Sequence, residues 1–300
     1  FQYTRGDGVI LGADGLKVEV VDQDPVFDEV IWSSFLDVNG HFDTNTLWDD
    51  CDLSGCDDPD IYLQITAATG VVAVEQDIVL GVPWVWTTAV IPDFTGNNID
   101  FGVMHPNNDA DGDAAAHIFS SITRADRYAR QFNMAARQVE VEWPSSDGNS
   151  SYSDGPEVIH IARGQQWDEL IHTHEYGHHL HNVYGNLLAS DYANGYCDTP
   201  IPGHCVWCPE HVGEAWQEGF ADFWGQIVTE NYQSAYGYLP WAGVLKPNNQ
   251  PNDWLYQQDW LNKCQQDSTY YPGALTERYV MALLRDIADP VNDDHDGGTP

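Results

Sequence analysis

The sequence predicts a mixed α+β chain in which an all-β sandwich comes first and a helix-bearing domain follows. Three observations lead there. From Phe1 to about Phe101, apolar and polar residues alternate in short runs broken by turn residues, with no helical period. After Gly102, apolar residues recur at helical spacing. Within that later region His174 and His178 stand four apart, a spacing that a helix brings to one face. The domains are therefore expected at residues 1–102 and 103–300.

Each element has its own signal. Val18-Glu19-Val20 and Ile61-Tyr62-Leu63-Gln64-Ile65 alternate as half-buried strands do. Asn39-Gly40, between Phe35-Leu36-Asp37 and Phe42, is a hairpin signal. Further strands are expected at 71–79 and 84–90, completing a small antiparallel sandwich. Beyond Gly102, Asp113 is the expected N-cap of a helix over about 113–131, on which Ile118, Ile122, Ala125 and Ala129 share a face. Asp109, Asp111 and Asp113 also have some of the composition of a calcium loop, without the later Glu that completes one. Strands are expected at 139–143 and 158–161, then a helix over about 167–183. Ile171, His174, His178 and His181 share one face of that helix, with Leu170 and Tyr184 packing beneath. His179 and His181 are expected at the surface or in a pocket.

Composition narrows the function classes. The chain has 47 acidic and 11 basic residues for a formal charge of -36, and lysine only at Lys17, Lys246 and Lys263. Such a surface repels nucleic acid and anionic membranes, so neither is an expected partner. No run approaches the ~18 apolar residues of a membrane span. Six cysteines, an even number, together with this surface favour a secreted protein with disulfides. Cys51 and Cys56 flank a short turn and can pair locally. Cys197, Cys205, Cys208 and Cys264 either form disulfides, or Cys205 and Cys208 join His204 and His211 in a structural zinc site. Arg5-Gly6-Asp7 is an integrin-binding tripeptide, a pattern that also arises by chance. The aspartates between Asp49 and Asp60, and Asp293, Asp294 and Asp296, are calcium candidates or solvated acidic turns.

The chemistry concentrates in His174-Glu175-Tyr176-Gly177-His178. Two helical imidazoles can close on one Zn²⁺, and the glutamate beside the first can take a proton from metal-bound water. Forty residues past His178 stands Glu218-Gly219-Phe220-Ala221-Asp222, which offers a third ligand. Glu214, one turn earlier, is its rival.

Over roughly residues 104–290 these segments resemble the gluzincins, the zinc peptidases typified by thermolysin and fungalysin. The resemblance implies a thermolysin-like zincin domain with ligands His174, His178 and Glu218. It implies Glu175 as catalytic base, and Asp222 orienting a ligand histidine. It implies an edge segment at Asn149, Ser150, Ser151 and Tyr152 that holds a peptide substrate. The family's oxyanion-stabilising histidine has no match, and Arg278 or Tyr279 stands nearest to that role. A metzincin would need Gly and His where His181 and Tyr184 stand. Residues 8–90 resemble the transthyretin-like modules appended to secreted peptidases. The implied function is a secreted zinc-dependent endopeptidase, with zinc and in places calcium as cofactors and a protein or peptide as partner. The alternatives are a surface binding protein with a vestigial zinc site, and a zinc amidohydrolase on a non-peptide amide.

Overall fold

The computed structural model describes residues 1–24, 27–44, 50–51, 56–77, 79–96, 98–106, 109–145, 148–185, 212–238 and 277–288. The chain is mixed α+β and divides into two compact units, Phe1–Trp167 and Asp168–Pro300.

In the first unit, β1 (Gln2–Thr4) and β2 (Ile10–Gly12) form a short hairpin. Next come β3 (Lys17–Asp22), β4 (Glu29–Phe35), β5 (Asp50–Cys51), β6 (Cys56–Asp57), β7 (Ile61–Thr66), β8 (Val72–Asp77), β9 (Val82–Pro83) and β10 (Val85–Thr87). An antiparallel sheet runs in the order β10-β7-β3-β4. Ile61, Leu63 and Ile65 point into its core and their neighbours along β7 do not, the alternation that the sequence predicts. The Asn39-Gly40 turn follows β4. Gly40 has φ 75°, and a Cβ there would lie 2.1 Å from the Phe1 carbonyl oxygen, so only glycine fits. In the β5–β6 ladder Cys51 stands opposite Cys56.

The second sheet takes strands from both sides of Gly102. With β11 (Val139–Ser145), β12 (Ser151–Ser153) and β13 (Val158–Ala162), its order is β12-β13-β11-β8-β9. β13, β11 and β8 run parallel, and β12 and β9 are antiparallel edges. A parallel neighbour requires a long crossover, and α1 (Ala110–Arg130), packed against β8, belongs to the one from β8 to β11. Indole groups tie the layers together: Trp84 Nε1 donates to the Trp143 carbonyl at 3.1 Å, and Trp143 Nε1 to the Asp111 carbonyl at 3.0 Å. The fully buried Asp14 accepts from Arg124 at 3.2 Å and from Arg127 at 2.7 Å, anchoring α1 to the segment before β3. Removing either partner would leave a buried charge short of compensation.

The α1 N-cap differs from expectation. Asp109, not Asp113, caps the helix, accepting from Asp111 N at 3.0 Å. Asp113 instead accepts from Thr4 N at 2.9 Å, and Asp111 pairs with Arg163 at 2.7 Å. The earlier aspartate wins because it satisfies an orphan N–H of the first turn, while the later one is taken by β1. Arg5 and Asp7 of the tripeptide close on each other, Nη2 to Oδ2 2.6 Å.

The second unit contributes α2 (Glu169–Tyr184), α3 (Val212–Tyr236) and α4 (Glu277–Ala288), with α3 packed against both of the others. Asp168 caps α2 through the N–H groups of Leu170 and Ile171. One expectation for this helix is corrected and another narrowed. Tyr184 is 46% exposed and does not pack beneath it, because it lies in the last turn. Of the two places expected for His179 and His181, the surface is excluded: both are buried, His179 within 5.7 Å of the Tyr176 ring and His181 within 5.5 Å of Phe220.

Candidate metal centre

Two glycines let α2 and α3 come close enough to share a site. A Cβ on Gly177 would lie 2.9 Å from Ala221 Cα, and one on Gly225 would lie 3.1 Å from Leu170 Cδ1 and 3.3 Å from His174 N. With no side chain at either position the helix backbones meet, and inward side chains from both converge.

The convergence is tight. His174 Nε2 and His178 Nε2 are 3.1 Å apart, and Glu218 Oε2 is 3.4 Å from the first and 3.2 Å from the second. Bonds of ~2.0–2.1 Å in a tetrahedron separate ligand atoms by about 3.3 Å. The observed triangle therefore matches one face of a zinc coordination sphere. Two imidazoles and a carboxylate are also a donor set that suits this ion.

Behind the triangle, His174 Nδ1 donates to Asp222 Oδ1 at 3.0 Å. That bond commits Nδ1 to carrying the proton and turns Nε2 toward Glu218 and His178. Burial opposes charge on His174. The hydrogen bonds to Asp222 and Glu218, with the charges of Asp222 and Glu175, overcome it and hold the pKa well above the ordinary 6.5. His181 is pushed the other way, from 6.5 to about 4, by burial and by the charge of His178, against the pull of Glu218.

Two carboxylates lie near the imidazoles. Glu175, buried, offers an oxygen within 4.8 Å of the ring nitrogens. Glu218 Oε2, at 3.4 and 3.2 Å from the two ring nitrogens, fits the tetrahedral edge. Glu214, the rival one turn earlier on α3, is half-buried.

No protein-family model matches the chain, and no curated protein matches it. What can be said of this centre therefore comes from its own atoms.

The remaining candidates are distributed differently. Asn149, Ser150 and Tyr152 belong to the first unit, where β12 is the edge strand. Ser150 there anchors the strand: its hydroxyl donates to Gln165 Oε1 at 2.7 Å and accepts from Ala162 N at 3.0 Å. Arg278 and Tyr279 fall in the first turn of α4, and their side chains lie outside the described residues. So do Cys197, His204, Cys205, Cys208, His211, Cys264, Asp293, Asp294 and Asp296.

The sequence by itself assigns no role to Gly177 or Gly225. Gly177 lies inside the first helical motif and Gly225 three residues past Asp222 of the second. Nor does the sequence indicate a polar row across three strands, in which Glu142 Oε2 meets His160 Nδ1 at 2.6 Å and Ser153 Oγ meets His160 Nε2 at 3.1 Å. No spacing in the sequence announces that row, since strand pairing creates it.

Proposed function

We propose that the chain is a secreted zinc-dependent endopeptidase of the gluzincin type, with a thermolysin-like catalytic domain and a transthyretin-like accessory module. The observation that carries this is the His174–His178–Glu218 triangle with Asp222 behind His174. His174, His178 and Glu218 would hold the zinc. When bound, zinc supplies a Lewis acid that lowers the pKa of water toward ~7 and polarises a carbonyl.

The protein's own groups do the rest. Glu175 accepts the proton of the attacking water and then passes it to the leaving amine. Burial of its carboxylate keeps bulk water from competing for that proton. Asp222 fixes the tautomer and ring orientation of His174. The segment Asn149–Tyr152, which leads into the edge strand β12, would hold an extended peptide, a mode in which main-chain bonds give affinity.

The test uses Glu175→Gln, which spares all three ligands. The variant should retain one zinc per chain by elemental analysis and lose peptide hydrolysis by roughly the 10²–10⁴-fold that general-base catalysis contributes. Undiminished turnover removes Glu175 from the mechanism. Failure of both proteins to take up zinc removes the metallopeptidase reading itself.

A further inference from the structure

The first unit carries a cavity outside the metal centre. Its volume is about 530 Å³, within the size range of small-ligand pockets. Trp32 on β4, Phe35 at the end of that strand and Phe42 beyond the turn supply aromatic walls, and Asp37 and Asp43 supply carboxylates. The Asn39-Gly40 turn folds the chain back so that Phe42 approaches Trp32, ring centroids 5.7 Å apart and planes inclined by 33°. Phe35 is 59% exposed, so its ring face is accessible to a ligand in the pocket.

Aromatic faces carry negative potential and attract a cation held within about 6 Å of the ring centroid. Carboxylates at the same mouth add to that attraction. Asp37 is held in place: its Oδ1 accepts from Asn39 N at 2.8 Å and from His41 N at 2.9 Å. Those bonds, helped by the charges of His41 and the Phe1 ammonium, lower its pKa against burial, so it stays charged. Among the described residues no donor reaches its Oδ2. Rings and fixed negative charge together select a cation on an aliphatic stem, whose methylenes lie on the rings while its head meets the carboxylates. The formal charge of -36 on the chain adds long-range attraction for such a ligand.

We infer that the Trp32–Phe35–Phe42 pocket, with Asp37 and Asp43 at its mouth, binds the cationic side chain of a lysine- or arginine-bearing peptide. The site is independent of zinc and stands whether or not the second unit is a peptidase.

The experiment is ligand-observed NMR on the full chain with N-acetyl-lysine methylamide. N-acetyl-norleucine methylamide keeps the four-carbon stem and lacks the ammonium, and cellobiose is the control for sugar stacking. Saturable binding of the lysine amide is expected, and weaker binding in high salt, with the norleucine amide at least several-fold weaker. Trp32→Ala and Asp37→Asn should each weaken binding, the former roughly tenfold. Asp37→Asn keeps the Oδ1 acceptor for the turn, so it tests charge without dismantling the loop. Where Trp32→Ala fails to fold by circular dichroism, Asp37→Asn and Asp43→Asn carry the test. Equal binding of the norleucine amide, no saturation, variants that leave affinity unchanged, or preference for cellobiose each overturn the proposal.

Discussion

At the scale of single residues, Asp222 and His181 make the sharpest statements. Asp222→Asn keeps an oxygen for the His174 Nδ1–H but removes the charge behind it. Groups that orient metal ligands typically contribute about 10–100-fold to affinity or activity, and a loss of that size in zinc affinity, read by chelator competition, is expected. The raised pKa of His174 gives a second outcome. Zinc must displace that proton, so affinity should fall as pH drops below the raised value, and binding should release protons measurable in weakly buffered solution. His181 acts in the opposite sense. Its folded pKa of about 4 lies below the ordinary 6.5, so between these values the unfolded chain binds a proton that the folded chain refuses. Stability should therefore fall as pH drops through that window. His181→Phe, which keeps a ring against Phe220, should flatten the slope in thermal melts at graded pH.

At the scale of elements, the close approach of α2 and α3 decides whether the centre exists. Gly177→Ala would gain about 1 kcal/mol of helix propensity. It would also place a methyl group 2.9 Å from Ala221 Cα, which is backbone and cannot rotate away. Overpacking of this kind costs about 1–3 kcal/mol, so the clash is expected to win. The variant should melt earlier and bind zinc less tightly, because separating the helices moves Glu218 off the imidazoles. A variant that is more stable with unchanged zinc affinity would show that the spacing is not limiting. Gly219 plays the matching role for α4, since a Cβ there would lie 2.6 Å from the Glu277 carbonyl oxygen.

At the scale of the whole molecule, charge dominates. A chain with 47 acidic and 11 basic residues repels itself, and salt shortens the range of that repulsion to ~10 Å at 0.1 M and ~3 Å at 1 M. The melting temperature should therefore rise with added salt, and a fall would show that specific ion pairs such as Asp14–Arg127 outweigh the net field. The same field should favour neutral or basic peptides over acidic ones. In a peptide library digested at two salt concentrations, internal cleavage is expected, with the charge preference fading in the higher salt. Release of terminal residues alone would contradict the endopeptidase reading.

Sequence alone carried the local features. Helical spacing of His174 and His178 and the alternation along β7 follow from backbone periods of 3.6 and 2, which chain neighbours establish without distant help. The mixed α+β character was legible for the same reason. Long-range pairing was not: strands β8 and β11 lie far apart in sequence, and nothing in either segment says that they will run parallel in one sheet. Competition between near-equivalent groups was not legible either. Asp109 and Asp113 are equally good N-caps on paper, whereas between Glu214 and Glu218 the sequence favours Glu218 through the Asp222 that follows it. Only the tertiary structure separates the two aspartates, by giving Thr4 N to Asp113, and only it brings Gly177 against Ala221, with the Glu218 carboxylate 3.4 and 3.2 Å from the two imidazoles. The physical reason is common to both cases: spacing along a chain specifies direction, whereas the distance between two side chains depends on how closely their backbones can pack.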